Sequence, residues 1–156
     1  MSSNGTLSEM ETFFMALADK TRLRLLNLMR VEEVCVCFFT EVLGDSQPKV
    51  SRHLAYLRNA GIVTARRDGK WMHYSISQPH ENAAKRVLHQ LFDWMDSKEA
   101  LRQDREKYKQ VCCSPETLVQ IARTPITFIS PEADMRNEEP AAVYDRAHNE
   151  LDEFLL

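Results

Sequence analysis

Ser46-Gln47-Pro48 opens a helical stretch that Gly61 closes, and two β-like runs follow it at once, folded about Asp68-Gly69. That order constrains the chain more than anything else in it. A serine before a proline in the first helical turn is N-cap chemistry, because proline's missing N–H falls where no intrahelical acceptor exists. Within the stretch Val50, Leu54, Leu57 and Ala60 recur at helical spacing and turn one face to a core. Gln47, Lys49, Ser51, Arg52, His53 and Tyr56 are left on the more exposed side. The runs Ile62–Arg67 and Lys70–Ile76 alternate like strands, and Asp-Gly between them is a strong hairpin signal.

Upstream, Leu7, Met10, Phe13, Phe14, Leu17 and Ala18 fall on one helical face. Asp19 is placed to cap a second helix whose Leu23, Leu25, Leu26, Leu28 and Met29 are apolar round most of the circumference, so that helix is expected to be central and buried. Cys35 to Leu43 reads as a short third helix with cysteines at its start, and Gly44-Asp45-Ser46 as the turn before the fourth. Helix, turn, helix, then a basic hairpin is the order of a winged helix-turn-helix. The fold class expected is mainly α with a small β-hairpin wing.

Downstream, Pro79 opens a further helical stretch with Ala84, Val87, Leu88, Leu91, Phe92 and Met95 in one stripe. Residues 97–110 are heavily charged yet helix-favouring, which predicts that this helix runs on as a solvated extension. Beyond Cys113, prolines divide the chain, and only Val143, Ala147, Leu151 and Leu155 suggest a last amphipathic helix. The expected organisation is a DNA-binding and dimerisation domain over 1–96, a charged helical extension over 97–113 ending in a cysteine pair, and an acidic tail over 114–156, ordered in part at most.

Charge supports a nucleic-acid partner through its distribution. The net charge is −3, yet residues 46–75 hold six basic residues and one acid, a local +5 that leaves −8 for the rest. From Cys113 onward nine acids face three arginines. The basic residues sit on the two elements that would touch DNA. Gln47, Ser51 and His53 are expected to offer groups to base edges, with Lys49 and Arg52 meeting phosphate or guanine. Arg66, Arg67 and Lys70 of the wing would reach phosphates or the neighbouring minor groove, and His73 of the wing faces DNA more naturally than a metal. Trp71 and Tyr74 are expected to pack the wing's inner face.

No run approaches the ~18 apolar residues of a membrane span, and Met1–Thr6 lacks the basic and hydrophobic regions of a signal peptide, so the chain is expected in the cytoplasm, with no membrane partner. Four cysteines fall in two tight pairs, Cys35/Cys37 and Cys112/Cys113. In a reducing compartment such pairs are thiols that bind or sense rather than structural disulfides.

Asp19-Lys20-Thr21-Arg22-Leu23-Arg24-Leu25-Leu26, Glu33-Val34-Cys35-Val36-Cys37, Ser46 through Arg58 and Gly69-Lys70-Trp71-Met72-His73-Tyr74 together resemble the ArsR/SmtB family of metalloregulatory repressors, in particular its arsenic-responsive members. The resemblance runs from about Leu7 to Met95. It implies a homodimer formed through the first and last core helices, binding a palindromic double-stranded operator until an inducer arrives. It also makes Cys35-Val36-Cys37 the inducer site. Soft thiolates select soft ions, so As(III) is the expected inducer, with Sb(III) or methylated As(III) as variants, and there is no catalytic cofactor.

Many arsenic-responsive relatives carry a third cysteine one helical turn after the pair, where this chain has Thr40. A three-sulfur site then needs Cys112 or Cys113, from the same or the partner subunit. The alternative is that two thiols suffice, as a methylated arsenical requires. His80, Glu81, His89 and Asp93 lie where some zinc-responsive members bind zinc, but their spacing does not fit that pattern. A thiol-dependent enzyme such as an arsenate reductase is disfavoured, because no anion-cradling loop lies near Cys35 or Cys112.

Overall fold

The computed structural model of the protein describes residues 5–112. Helix α1 (Leu7–Leu17) begins at a capping box in which Thr6 accepts from the Glu9 backbone and the Glu9 carboxylate accepts from the Thr6 backbone N–H. Helix α2 (Lys20–Met29) begins where Asp19 Oδ1 accepts the Arg22 N–H at 2.9 Å. A two-residue strand, β1 (Val34–Cys35), leads directly into α3 (Val36–Leu43), and Gly44 ends α3 in the left-handed region with φ 69°. Helix α4 (Gln47–Asn59), strands β2 (Val63–Asp68) and β3 (Trp71–Ile76), and helices α5 (Asn82–Met95) and α6 (Glu99–Cys112) complete the order.

The sheet is antiparallel with β3 in the middle, in the order β1-β3-β2. Asp68 pairs with Trp71, so the wing turns through Gly69 and Lys70, and Gly69 takes the positive φ that the turn demands. β1 is a strand that periodicity did not anticipate. Two residues are too few to show alternation, and the cysteine taken as the helix start is both the strand's last residue and the N-cap of α3.

The core lies between α2, α3, α4 and the sheet: Leu25, Leu26, Val34, Phe39, Val50, Leu54, Leu57 and Ile62 are all fully buried. The α4 positions expected to face inward do so, and α2 is the buried central helix. α5 buries Leu88 and Met95, but it leaves Val87 and Trp94 exposed.

The expected continuous solvated run after α5 is not what forms. α5 ends at Met95, and α6 returns to lie across α2 and α3 with Leu101, Asp104 and Val111 buried. Its attachments are mostly polar. Asp104 takes both N–H arms of Arg24 at 2.7 Å, Asn27 Nδ2 donates to Leu101 O at 2.8 Å, and Lys107 Nζ donates to Val42 O at 3.0 Å. Phe38 and Tyr108 meet edge to face with centroids 5.8 Å apart. No helix among the described residues is long and apolar enough to cross a membrane. Cys113, the acidic tail over 114–156 and the helix expected about Val143 lie outside the described residues.

Candidate nucleic-acid interface and thiol site

The face of α4 away from the core carries Lys49 and Arg52 exposed and Gln47 and Ser51 half-buried. Lys49 Nζ is 2.8 Å from Asp45 Oδ1, one turn back. His53 departs from expectation. Its ring is turned toward the α1–α2 corner, with Nδ1 3.5 Å from both Asp19 Oδ1 and Arg22 Nη1. Burial holds its pKa below the ordinary histidine value, Arg22 and Lys49 adding to the effect against the pull of Asp19. Arg22 is itself pinned, donating to Ala16 O at 2.7 Å and Met15 O at 3.0 Å and lying 4.2 Å over the Tyr56 ring. A cluster of side chains therefore fixes α4 against the α1–α2 turn.

On the wing, Arg66, Arg67 and Lys70 are exposed. Arg67 Nε donates to Gly69 O at 3.0 Å, and Lys70 lies 4.9 Å over the Trp71 ring. Tyr74 packs inside against Phe39, whereas Trp71, three residues away on a strand, is only half-buried. Both aromatics pack on the core as expected, Tyr74 within it and Trp71 at its edge. His73 is half-buried beside Glu33, its Nδ1 3.7 Å from Oε1.

The thiols stand next to these elements. Cys35 is buried and Cys37 half-buried, and their sulfurs are 2.8 Å apart. The Cys37 thiol donates to Cys35, and with the backbone N–H groups of Cys37 and Val36 it lowers the Cys35 pKa to about 7 against the opposing effect of burial. The Cys37 thiol is pushed up for the complementary reason, since it gives its proton to Cys35 and is itself buried. The donated thiol hydrogen bond thus eases loss of the Cys35 proton, and the thiolate is the form that ligates a soft ion. Thr40 turns its hydroxyl back onto Cys37 O at 2.8 Å.

Cys112 ends α6, half-buried, with its thiol 3.6 Å from Lys109 O. One turn earlier, Tyr108 has its phenol pKa raised by burial, by a hydrogen bond to Glu32 and by the charges of both Cys112 and Cys37. α6 packs along α3, with Tyr108 against Phe38, the residue after Cys37. It does not complete a site, because among the described residues no group of three His, Cys, Asp or Glu is close enough to hold a metal ion. His80, Glu81, His89 and Asp93 are exposed.

A helix-turn-helix joined to a three-stranded wing, with a thiol pair where β1 runs into α3, defines a winged-helix fold. Residues 19–65 match the family described as bacterial regulatory protein, arsR family. The chain is 50% identical over 68 residues to the arsenical resistance operon repressor of Escherichia coli, covering 43% of this chain and 57% of that one. It is 44% identical over 64 residues to an uncharacterized HTH-type transcriptional regulator of Methanocaldococcus jannaschii, covering 40% of this chain and 72% of that one. A homodimeric winged helix-turn-helix DNA-binding domain from Mycobacterium bovis, described as a possible ArsR-family regulator, superposes with a TM-score of 0.50 at 26% identity over 60% of this chain and 83% of that one. The protein belongs to the ArsR family, a family of transcriptional regulators rather than enzymes. The matches span 50–57% of the length of the first curated relatives.

Proposed function

We propose that this chain is a cytoplasmic transcriptional repressor that binds a palindromic operator as a homodimer and dissociates when As(III), or the chemically similar Sb(III), binds its thiolates. The observation that carries the reading is the Cys35–Cys37 pair, the Cys37 thiol donating to the Cys35 sulfur at 2.8 Å, at the start of the helix preceding α4. The naming of relatives as arsenical resistance repressors supports the choice of ion. Gln47, Lys49, Ser51 and Arg52 are the proposed groove-facing set, Arg66, Arg67 and Lys70 the phosphate set, and His53 and His73 supports behind them.

Two thiolates satisfy a methylated arsenical, and a third sulfur completes the pyramid that inorganic As(III) prefers. Cys112 or Cys113 supplies it, drawn in from the end of α6. The test is fluorescence anisotropy on the duplex upstream of the chain's own gene, titrated with arsenite, antimonite, cadmium and lead. Parent protein should bind and be released by arsenite. Cys35→Ser and Cys37→Ser should bind yet resist release, and Cys112→Ser/Cys113→Ser should lose release by arsenite while keeping release by a methylated arsenical. Full arsenite release from the double variant would show that two thiols suffice. Unaltered release from Cys35→Ser and Cys37→Ser would remove the pair from the mechanism.

A further inference from the structure

The segment that carries the thiol pair also grips the wing. Glu33, the residue before β1, receives a forked contact from Arg66 of β2: Nη2 donates to Oε1 at 2.6 Å, and Nε lies 3.2 and 3.3 Å from the two carboxylate oxygens. His73 Nδ1 stands 3.7 Å from the same Oε1. In the sheet, His73 pairs with Cys35 on one side and with Arg66 on the other. A backbone ladder thus runs from the thiol through β3 to Arg66, and Glu33 bridges its two ends with a side chain.

A guanidinium that gives its N–H groups to a carboxylate cannot give the same groups to a phosphate. Arg66 Nη1 is also held, more loosely, 3.7 Å from Asp68. Arg66 belongs to the proposed phosphate-binding set, so DNA must take it away from Glu33. The contact is open enough for that, since the two side chains are 55% and 34% exposed and such pairs are weak and screened by salt.

We propose that Glu33 is a positioning residue that holds Arg66 of the wing off the DNA and links that restraint to the state of the Cys35/Cys37 pair; the inference rests on the DNA-binding reading above. An ion drawn to both sulfurs fixes the end of β1, a strand of two residues that cannot absorb a shift at Cys35 without passing it to His73. The ion acts through this contact because it fits the closed Glu33–Arg66 arrangement better than the arrangement in which Arg66 has left for DNA.

The test is a mutant cycle of parent, Glu33→Gln, Arg66→Gln and the double variant, each titrated against a mixed-sequence duplex and the duplex upstream of the gene, over a range of salt, with and without arsenite. Glu33→Gln should bind both duplexes about two- to fivefold more tightly at low salt. Its slope of log affinity against log salt should be steeper by up to about 0.9, the counterion release of one further phosphate contact. Both gains should vanish in the Arg66→Gln background, and arsenite should weaken binding by a smaller factor in Glu33→Gln than in the parent. A gain that persists without Arg66 would mean that only general charge had changed, and would overturn the contact's role. Equal affinity of parent and Glu33→Gln would overturn it as well, and an unchanged arsenite factor would overturn the link to the thiols. If the parent binds neither duplex, the DNA-binding reading itself falls and takes this proposal with it.

Discussion

The charged form of His53 is penalised chiefly by burial, with Arg22 and Lys49 adding to the effect against the opposing pull of Asp19 and Asp45. Its folded pKa is below the ordinary histidine value, so the unfolded chain binds the proton more readily. The stability this group contributes is fully present above about pH 6.5 and is lost as pH falls below that toward the depressed folded value. Replacing His53 with Gln should therefore flatten the acid limb of a thermal-melt profile between neutral and mildly acidic pH. An unchanged limb would show that other groups govern it. Cys35 supplies a second pH-linked outcome. Alkylation of the apo protein at Cys35 should rise with a midpoint near pH 7, and Cys37→Ala should move that midpoint upward, because the donated thiol hydrogen bond is the main cause of the depression. Neither environment was legible in the sequence. Helical spacing placed His53 on the outer half of α4, and nothing local reveals that Asp19 and Arg22, more than thirty residues away, come to meet it.

Among elements, α4 and α6 stand at opposite ends of legibility. α4 was readable because cap, proline, apolar spacing and closing glycine all lie within sixteen residues and agree with one another. α6 was not, since its anchoring groups are charged residues whose partners are remote. Arg24 and Asp104 are 80 positions apart, and a sequence of alternating charges looks the same whether solvated or paired. β1 escaped for a related reason: two residues show no period, and its strand character comes from pairing with Tyr74 and His73. If α6 is a docked part of the fold, Asp104→Ala should destabilise the protein by about 1–3 kcal/mol in urea unfolding, because it strands Arg24 and removes a buried acceptor pair. Glu106→Ala, on the exposed side, should change stability by less than about 0.5 kcal/mol. Equal effects from the two substitutions would mean that α6 is only loosely attached.

At the scale of the molecule, one side of the described chain is left apolar. Leu7, Met10 and Phe14 of α1 are 81, 56 and 44% exposed, and Val87 and Trp94 of α5 are 37 and 65% exposed. Phe14, Leu17, Val87, Leu91 and Trp94 line a shared hollow between the two helices. A stripe of large side chains on two adjacent helices is what an unpaired half of an interface looks like, and burying it against a second copy supplies the apolar area that a stable association needs. The first and last core helices were expected to form the homodimer, and this face lies on those two elements. Dimerisation also matters for binding. In the proposed dimer a single wing and α4 would meet one half-site, and two held at fixed separation would gain the effective concentration that turns weak contacts into a tight operator complex. Introducing a charge at the centre of the stripe separates these contributions. Trp94→Glu should shift the protein toward monomer in sedimentation velocity and weaken binding to a palindromic duplex by at least about tenfold, while binding to a single half-site duplex stays within about twofold of the parent. The thermal midpoint should fall with dilution in the parent and become independent of concentration in the variant, as mass action requires of a dimer that has been lost. A Trp94→Glu protein that still sediments as a dimer and binds the palindrome at parental affinity would move the interface away from α1 and α5.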